Sequence, residues 1–448
     1  MNRYLIEGGI PLHGEYTVSG AKNAALKLLI ASLLTSEPVT IKNVPRISDT
    51  EAILEILQFL GAKTQWRGQN EVVVEAKKIN GKAIPLELAS KCRASVLVLG
   101  ALTARCHEAV VPGPCGEKVD SRPVDRHIDA LRQLGVDVIA EGSFFHARGG
   151  VQGGVIEFAK NTHTGTENVL IASVFTQGEV IIKNAADEPE IDNLIMLLNA
   201  MGAQIKRTQP REIRINGVEK LHAAKATVMG DRIEAVTIAV ATAITRGEVQ
   251  IKGILPEYLT AAFSKLQEIG VNFKVSQDKL LVWVTPETRF NPVGIESHPY
   301  PGFMTDWLPL FAALLTQAEG ESVLHETIYP SRFAYIKHLK RMGAEIHLFN
   351  PTVGNANEFY NFNPEDNQPE YFHAARIFGP VPLMGTKLEA DSIRAAAALV
   401  IAALAAKGPS ELIGVEYIER GYEDLVGKFK KLGAKIEVVG EEPLTTDN

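Results

Sequence analysis

The sequence has 448 residues, of which 46% are hydrophobic and 22% charged, and it carries a net charge of −7. This composition indicates an ordinary globular protein, and the acidic balance disfavours a protein that binds nucleic acid along its surface. The longest wholly apolar run has 12 residues, from Ala395 to Ala406, which excludes a membrane-spanning helix of roughly 20 residues, and the chain start lacks the pattern of a secretion signal.

A pattern of helix, strand and helix begins near residue 22 and recurs along the chain. The segment SGAKNAALKLLIASLL predicts an apolar helix, VTIKNV a strand and AILEILQFL a second, amphipathic helix. This second helix runs into FLGAKTQW, in which a glycine is followed by a strand-like stretch. Later segments repeat the phrase as QLGVDVIA, AMGAQIKR, EIGVNFKV, RMGAEIHL and KLGAKIEV. The intervals between the six glycines are 74, 67, 68, 73 and 90 residues, so we predict six repeated α/β units.

The glycine of each phrase predicts where a helix ends. A glycine just past the last turn can adopt the left-handed conformation that caps the final carbonyl groups, after which the chain reverses into a strand. The residues concerned are Gly61, Gly135, Gly202, Gly270, Gly343 and Gly433. The last interval is the longest because it contains an additional polar and aromatic segment, roughly Asn350 to Pro382.

The length of the chain predicts two lobes. A chain of 448 residues is too long for one hydrophobic core, and six units divide naturally into two sets of three. We predict that residues 22–229 form an N-terminal lobe. Residues 230–448 are predicted to form a C-terminal lobe, into which the chain start, residues 1–21, pairs.

Two basic residues lie where helices are predicted to start. Lys22 is in the first turn of the first apolar helix, and Arg394 opens the helix in ADSIRAAAALV. A cation at a helix start is repelled by the positive end of the helix dipole unless an anion lies between them. We therefore predict that Lys22 binds an anionic ligand; the alternative is a solvated lysine at a fraying helix end.

One cysteine lies among turn-forming residues, and we predict that it is a reactive thiol. Cys115 is followed closely by Lys118, Arg122 and Arg126. Neighbouring cations lower the pKa of a thiol from its usual value of about 8.5 and so favour the nucleophilic thiolate.

The other two cysteines, Cys92 and Cys106, lie in apolar segments and are predicted to be core residues. A total of three cysteines, an odd number, favours reduced thiols and a cytoplasmic protein. No Cys/His cluster has the spacing of metal ligands, and no P-loop or dinucleotide fingerprint follows a strand. We therefore expect no metal and no cofactor.

Arginines recur in equivalent loops of the repeat. Besides Arg122, the loops carry Arg332 in TIYPSRFAYIKHL and Arg420 in VEYIERGYEDL. The guanidinium fork suits carboxylate and phosphate, so the shared position predicts convergence on one anionic ligand. Asp306, in PYPGFMTDWLPLFAALL, starts an otherwise apolar helix, where a carboxylate is either an N-terminal cap or a catalytic group.

Over nearly its whole length the chain resembles the enolpyruvyl transferases. The segments that carry the resemblance are SGAKNAAL, RAS at Arg93, the PGxC loop, RPVD, TGTEN, NAADEPEI, DRIEA, MTD at Asp306, SRF, IRAA and ERGYE. The resemblance implies a two-lobed inside-out α/β barrel, each lobe of three repeated α/β units, with the lobes closing over the site. This implied fold agrees with the six glycines.

The resemblance also implies roles for single residues. Lys22, Arg122 and Arg420 resemble the grip on phosphoenolpyruvate, which Arg93 and Arg394 support. Cys115 resembles a proton donor that also forms a covalent adduct, and Asp306 a general base. The residues that resemble contacts to a UDP-sugar are Asn23, Arg122, Pro123, Val124, Asp125, Arg126, Asp306 and Arg332, with Lys160, Thr162 and His163 at the diphosphate.

The implied reaction transfers the enolpyruvyl group of phosphoenolpyruvate to the 3-hydroxyl of UDP-N-acetylglucosamine with release of phosphate, the first committed step of peptidoglycan synthesis. In the family, the hydroxyl adds to C2 of phosphoenolpyruvate and C3 takes up a proton; phosphate and a C3 proton are then lost. The implied partners are these two small molecules. We expect no nucleic acid, no membrane and no required protein partner.

Three segments depart from the family pattern and leave other functions open. CGEKVDSR is longer than usual, the diphosphate loop reads THTGT, and the segment from Asn350 to Pro382 is additional. A paralogous enolpyruvyl transferase with another nucleotide or nucleotide-sugar acceptor is therefore an alternative. Shikimate-type transfer is disfavoured because that branch uses neither the loop cysteine nor RPVD. A ring-forming DNA clamp of repeated α/β units is a non-enzymatic alternative, which the acidic balance disfavours.

Overall fold

A computed structural model of the chain describes residues 2–113 and 124–440. The predictions for Cys115, Arg122 and Pro123 lie outside these described residues. Strands and helices alternate along the rest of the chain, as the mixed α/β prediction requires.

The elements follow one another in a regular order. Residues 2–113 form β1 Arg3–Glu7, β2 His13–Thr17, α1 Lys22–Ala31, β3 Val39–Lys42, α2 Ser48–Phe59, β4 Lys63–Arg67, β5 Glu71–Glu75, α3 Leu86–Ala89, α4 Val98–Cys106 and β6 Glu108–Pro112. Residues 124–229 form α5 Asp125–Gln133, β7 Asp137–Glu141, β8 Phe144–Arg148, β9 Gln152–Glu157, α6 His163–Ser173, β10 Gln177–Lys183, α7 Pro189–Ala200, β11 Gln204–Gln209, β12 Glu212–Asn216 and β13 Ala224–Thr227.

The remaining elements run from residue 230 to residue 440. They are α8 Arg232–Ile244, β14 Glu248–Lys252, α9 Thr260–Ile269, β15 Asn272–Ser276, β16 Lys279–Trp283, β17 Gly294–Glu296, α10 Leu308–Leu315, β18 Gly320–His325, α11 Ile336–Arg341, β19 Glu345–Phe349, α12 Ala356–Phe359, β20 Ala374–Gly379, β21 Lys387–Glu389, α13 Ile393–Ala405, β22 Pro409–Ile413, α14 Glu416–Glu419, α15 Leu425–Lys431 and β23 Lys435–Val439. Short 3-10 turns occur at Ser32–Leu34, Arg93–Leu97, Pro256–Leu259, Thr305–Trp307 and Pro364–Asp366.

The chain packs into two compact units. Unit 1 combines Met1–Ser19 with Gly230–Asn448, and unit 2 comprises Gly20–Met229. Each has its own hydrophobic core, one that includes Tyr4 and Ile6 of the chain start and one built from residues after Gly20. None of the helices in the described residues is long and apolar enough to span a bilayer.

Three helices in each unit are apolar on nearly every side and therefore lie inside. In unit 1 these are α8, α10 and α13, which pack against one another, and every residue of α10 is buried. In unit 2 they are α1, α4 and α6, of which α4 packs on both others. The second helix of each repeat buries one face only, as in α2. Helices inside and sheets outside make this an inside-out α/β fold.

The predicted helix stops are confirmed. The six glycines of the repeated phrase have φ angles between +84° and +106°, the left-handed region that glycine adopts at no steric cost. At Gly61, for example, its N–H bonds Gln58 O and the N–H of Ala62 bonds Leu57 O, both at 2.9 Å, which satisfies the last carbonyls of α2.

The described residues of each unit form three sheets. The strand orders in unit 2 are β13-β3-β5-β4, β6-β8-β7 and β11-β12-β10-β9; those in unit 1 are β15-β16-β14-β2, β17-β18-β20-β19 and β21-β22-β1-β23. The chain start thus supplies a strand to two sheets of unit 1. Strand β1 lies between β22 and β23 and is antiparallel to both, and β2 is parallel to β14.

Candidate active site

The basic residue that opens α1 has its counter-ion within unit 2. Lys22 Nζ lies 2.6 Å from Oδ2 of Asp49, a carboxylate in the first turn of α2 that is 4% exposed. The adjacent Asn23 is half-buried, and its carbonyl accepts a hydrogen bond from Lys27 Nζ. Asp49 therefore fixes the position of the ammonium, and the anionic ligand expected at Lys22 stays a prediction.

A buried carboxylate joins two cations in the same unit. Glu167, whose side chain is 0% exposed, has Oε2 at 3.4 Å from Lys27 Nζ and Oε1 at 3.2 Å from His163 Nε2. Burial alone lowers the pKa of His163, but the carboxylate of Glu167 outweighs it and raises that pKa to about 9. His163 is therefore a cation at neutral pH, even though it begins α6, where the helix dipole disfavours positive charge.

The loop before α6 has a rigid end. Thr162 is the N-cap residue of α6, and its hydroxyl accepts the N–H of Gly165 at 3.2 Å. A Cβ on Gly165 would lie 2.5 Å from the methyl carbon of Thr162, so glycine is required there. Arg126, at the start of α5, donates from Nη1 to Asn161 O at 3.0 Å. Lys160 lies half-buried one position earlier.

A second histidine, His127, lies beside two predicted site residues and was missed by the sequence analysis. Asn168 accepts the N–H of Gly100 at 2.9 Å through Oδ1, which turns its amide nitrogen toward His127 Nδ1 at 3.2 Å. Nδ1 is therefore the acceptor, and Nε2–H donates to Thr164 Oγ1 at 3.1 Å. Burial, with the charges of Arg93 and Arg126, lowers the pKa of His127 to about 3.

Most of the described candidates of unit 2 lie at or next to the start of a helix or of a 3-10 turn. Lys22 begins α1, Arg93 begins the turn before α4, and His163 begins α6. Val124 is buried just ahead of α5, whereas Asp125 is exposed at its first position. The structure thus brings Arg93, Arg126 and His127 into electrostatic contact, and separately joins Lys27, Glu167 and His163.

The two cysteines predicted to be structural have no reactive character. Cys92 is 1% exposed. Burial raises the pKa of the Cys106 thiol, an effect that the nearby Arg105 only partly offsets. Neither thiol is suited to act as a nucleophile, so Cys115 remains the predicted one.

In unit 1 the packing of α10 on α13 joins two predicted catalytic residues. Arg394 Nε donates to Asp306 Oδ1, and the two side chains are 26% and 13% exposed. Ser392 caps α13 by accepting the N–H of Ala395 at 3.3 Å. Asp306 caps no helix with its side chain, because Met304 holds the N-cap position. The carboxylate is therefore positioned by Arg394 rather than by a helix start.

The other two predicted site arginines of unit 1 lie in a loop and at a helix end. Arg332 stacks its guanidinium on the ring of Tyr329, with 3.9 Å between Cζ and the ring centroid. Arg420 is half-buried at the end of the short helix α14.

A buried carboxylate that the sequence did not single out organises the segments around Asp306 and Arg332. Glu326, 1% exposed, accepts Ser297 Oγ at 3.0 Å and the N–H groups of Ile328 and Tyr329 at 2.7 and 3.1 Å. Its other oxygen accepts the hydroxyl of Thr305, the residue before Asp306. A glutamate at the end of a strand, followed by a loop, is too common a pattern to have identified it.

The chain is similar to known proteins over almost its whole length. The family model described as EPSP synthase (3-phosphoshikimate 1-carboxyvinyltransferase) matches residues 6–429. A protein named UDP-N-acetylglucosamine 1-carboxyvinyltransferase 1 from Carboxydothermus hydrogenoformans is 40% identical over 99% of this chain and 100% of its own length. Another of the same name from Legionella pneumophila is 38% identical over 99% of this chain and 84% of its own. A UDP-N-acetylglucosamine 1-carboxyvinyltransferase from Finegoldia magna is 37% identical, covering 96% and 97%.

Solved structures of low sequence identity share the fold. The enolpyruvyl transferase NikO from Streptomyces tendae superposes with a TM-score of 0.84 over 98% of this chain and 99% of its own, at 24% identity. An EPSP synthase from Acinetobacter baumannii gives a TM-score of 0.70 over 98% and 100%, at 18% identity. The two-lobed inside-out α/β architecture predicted from the sequence is therefore confirmed. Together with the family model and the relatives, this establishes that the chain is a transferase of the enolpyruvyl transferase family.

Proposed function

We propose that this protein transfers the enolpyruvyl group of phosphoenolpyruvate to the 3-hydroxyl of UDP-N-acetylglucosamine, releasing phosphate, as the first committed step of peptidoglycan synthesis. One observation carries the proposal: the chain is 37–40% identical, over 96–99% of its length, to proteins named for this activity. Membership in a transferase family decides against the DNA-clamp alternative.

The proposal assigns the two substrates to two sets of side chains. The donor, phosphoenolpyruvate, carries a carboxylate and a phosphate, which basic side chains bind by charge-assisted hydrogen bonds. The proposed donor residues are Lys22, Arg122 and Arg420, supported by Arg93 and Arg394. The proposed acceptor residues are Asn23, Arg122, Pro123, Val124, Asp125, Arg126, Asp306 and Arg332, with Lys160, Thr162 and His163 at the diphosphate.

The proposed reaction is an addition followed by an elimination. Asp306 accepts the proton of the acceptor hydroxyl while the hydroxyl oxygen forms a bond to C2 of phosphoenolpyruvate. The C2–C3 π electrons take up a proton at C3. The thiol of Cys115 donates that proton and is left as a thiolate. The covalent adduct forms in a separate, reversible addition, in which the sulfur of Cys115 bonds to C2 of phosphoenolpyruvate while C3 takes up the thiol proton and the C2–C3 double bond is lost. In the second step a C3 proton leaves, the double bond re-forms, and the C2–O bond to phosphate breaks.

The electrostatics of the described residues support these roles. Arg394 holds the carboxylate of Asp306 in place through an ion pair, as a base that must face one hydroxyl requires. Glu167 keeps His163 positively charged at neutral pH. The loop before α6 therefore offers two cations, Lys160 and His163, to an anionic diphosphate. Asp49 fixes the ammonium of Lys22.

The proposed chemistry also requires a reducing compartment of the cell. A thiol that acts as proton donor and nucleophile must stay reduced, so we place the reaction in the cytoplasm. It needs the two small-molecule substrates and no nucleic acid, membrane or protein partner.

The test is a phosphate-release assay with phosphoenolpyruvate and a panel of nucleotide sugars. We expect release with UDP-N-acetylglucosamine, and a decrease of about 100-fold in Asp306→Asn because a general base is removed. The matched control is Asp278→Asn, which changes an exposed aspartate in the turn between β15 and β16 and should leave the rate unaltered. No release with UDP-N-acetylglucosamine under any condition would contradict the proposal.

A paralogous enolpyruvyl transferase with another nucleotide acceptor is the second candidate. Two features of the chain favour it: the diphosphate loop reads THTGT, a departure from the family pattern, and residues 350–373 form an additional segment beside the loop of Arg332. The same panel separates the two candidates. Phosphate release with a different nucleotide or nucleotide sugar, and none with UDP-N-acetylglucosamine, would establish the second.

A further inference from the structure

One hairpin in unit 1 has a connection unlike the others. Strands β4–β5, β7–β8, β11–β12 and β15–β16 are joined by two or three residues, the usual length for a hairpin turn. Strands β19 and β20 are joined by residues 350–373, which we call the hairpin insertion. It is shorter than the segment to Pro382 expected from the sequence, because residues 374–379 form β20. An ordered connection of this length usually has a function.

The hairpin insertion has its own fixed structure. Asn350 closes its base, donating to Tyr371 O at 3.1 Å and accepting the N–H of His373 at 2.9 Å. Above this base, the ring of Tyr360 stacks on Phe362 with centroids 4.8 Å apart and contacts the ring of His373 at 5.0 Å. These three side chains are 6%, 7% and 4% exposed. Buried aromatic contacts of this kind give a small segment a single conformation.

The hairpin insertion is tied to the loop that carries Arg332. We define the Arg332 loop as residues 326–332. The N–H of Glu326 donates to His373 O, and the N–H of Asn361 donates to Thr327 O, both at 2.7 Å. Burial and the neighbouring His325 lower the pKa of His373, and a hydrogen bond to the Pro330 backbone acts in the opposite sense. The insertion therefore contacts the Arg332 loop at its beginning and near its end.

A further contact secures the strand from which the Arg332 loop emerges. The hydroxyl of Tyr360 lies 3.2 Å from His325 Nε2, and Glu296 Oε2 lies 2.8 Å from the other ring nitrogen. Phe359 stacks on the His325 ring with centroids 5.3 Å apart. The last residue of β18 is thus held between β17 and the hairpin insertion.

Through Glu326 the same contacts reach the turn before Asp306. Glu326 accepts hydrogen bonds from Ser297 and Thr305 as well as from the Arg332 loop. A shift of the Arg332 loop would therefore break bonds that also position Thr305. Because a buried carboxylate left without its donors is costly, these segments keep their arrangement only together.

We propose that the hairpin insertion is a brace that holds the Arg332 loop, and with it the turn before Asp306, in the conformation that binds the nucleotide-sugar acceptor. Tyr360 and the backbone of Asn361 are positioning groups that act through this loop and touch no substrate. The inference rests on the proposed function, since that function makes Arg332 and Asp306 contacts of the acceptor. It predicts that loss of the brace weakens acceptor binding and leaves donor binding intact.

Two variants of the full-length protein test the brace. In the first, Asn-Gly replaces residues 350–373, giving β19 and β20 the short turn of the other hairpins. In the second, Tyr360→Phe removes one hydroxyl and keeps the ring. We expect the KM for the acceptor to rise about tenfold in the first variant and about threefold in the second, the loss expected for hydrogen bonds. The KM for phosphoenolpyruvate should stay near the wild-type value.

The matched control is Tyr371→Phe, which removes a hydroxyl of the same insertion that has no hydrogen bond among the described residues and should change neither KM. An unchanged acceptor KM in both test variants, or a loss of kcat alone, overturns the brace. Hydrogen exchange gives a second readout: the amides of Ile328 and Tyr329 should exchange faster in Tyr360→Phe than in Tyr371→Phe. Equal exchange overturns the brace even if the shortened variant does not fold.

The two proposals fail in different ways. A wild-type protein that releases no phosphate with any nucleotide sugar contradicts the proposed function, and hydrogen exchange then decides on the brace alone. A wild-type protein that uses another nucleotide sugar is tested with that acceptor in the same variants. An active wild type whose variants keep their acceptor KM retains the proposed function and loses the brace.

Discussion

Two histidines of unit 2 show how one residue type takes different charge states in the same lobe. His163 lies 3.2 Å from the buried carboxylate of Glu167, whereas His127 is buried near the cations Arg93 and Arg126. Their pKa values are about 9 and about 3. At neutral pH His163 is therefore charged and His127 neutral, and both states follow from the groups that face each ring.

Substitution of Glu167 by Gln should abolish the high pKa of His163. The raised pKa stabilises the folded protein fully below the unfolded value of about 6.5, and this contribution is lost as the pH rises from there through about 9. In Glu167→Gln the imidazole should titrate at or below its ordinary pKa, and the midpoint of thermal unfolding should fall because Lys27 loses its buried counter-ion. The titration is measured by NMR of the His163 ring.

A matched exposed pair provides the control for that change. Glu141 lies 3.6 Å from His146 and is 74% exposed, so Glu141→Gln should hardly alter thermal unfolding. A His163 ring that still titrates near pH 9 in Glu167→Gln would show that another group supplies its charge.

His127 should make unit 2 sensitive to acid. Because its folded pKa lies below its unfolded pKa, stability is intact above about pH 6.5 and is lost as the pH falls toward 3. At pH 5 the loss from this residue is about 2 kcal/mol. In His127→Gln, the free energy of unfolding measured with urea should no longer lose this amount between pH 7 and pH 5. His347→Gln, which changes an exposed histidine, should keep the full loss of stability at pH 5. Equal losses in the two variants would show that His127 does not cause the sensitivity to acid.

At the residue scale the sequence predicts local features and leaves distant partners open. The i,i+4 spacing of His163 and Glu167 is visible in the sequence, since such residues are neighbours on one helix. The buried counter-ion of Lys22 could not be predicted, because Asp49 belongs to the next helix. Asp306 and Arg394 are 88 positions apart, and only the packing of α10 on α13 joins them.

At the scale of elements the prediction succeeded where the cause is local. A helix stop of this kind needs only a residue that can adopt a positive φ, and each of the six glycines has a positive φ. The hairpin insertion was located only approximately. Its contacts to residues 325–330 depend on tertiary packing, which neither propensity nor spacing encodes.

Alanine at two of the helix stops should have unequal costs. Both Gly61 and Gly433 have positive φ, +98° and +93°, and an alanine there carries a strain of about 1–2 kcal/mol. A Cβ at Gly61 would also lie 2.6 Å from Asn80 Nδ2 and 3.0 Å from Lys78 O, whereas at Gly433 nothing lies within 4 Å. In urea unfolding, Gly61→Ala should therefore cost at least about 1 kcal/mol more than Gly433→Ala. Equal costs would mean that backbone strain alone decides.

At the scale of the whole molecule, two cores of similar construction account for the length of the chain. Each unit buries three apolar helices behind three sheets, so six repeats serve two cores. The fold class followed from the sequence because the repeat fixes the number of units and the order of their elements. The site could be predicted only in part, since its described residues come from many helix starts and loops whose proximity the repeat does not specify.

Removal of residues 2–17 should damage unit 1 and spare unit 2. The deletion takes β1 from the middle of its sheet, exposes the core that Tyr4 and Ile6 cover, and removes β2 from the edge of another sheet. Hydrogen exchange should therefore become faster in β22 and β23, with β10 and β12 of unit 2 retaining their protection. Faster exchange throughout both units would show that they do not fold separately.

The central place of β1 in its sheet has a consequence for synthesis on the ribosome. Both neighbours of β1 come from residues 409–439, far from β1 in the sequence. A nascent chain therefore carries β1 without either neighbouring strand until residues 409–439 have been synthesised, while the contiguous stretch from Gly20 to Met229 emerges earlier and can fold first. Until then the apolar side chains of Tyr4 and Ile6 stay exposed to water. The nascent chain is therefore prone to aggregate unless β22 and β23 are synthesised quickly or a chaperone covers these side chains.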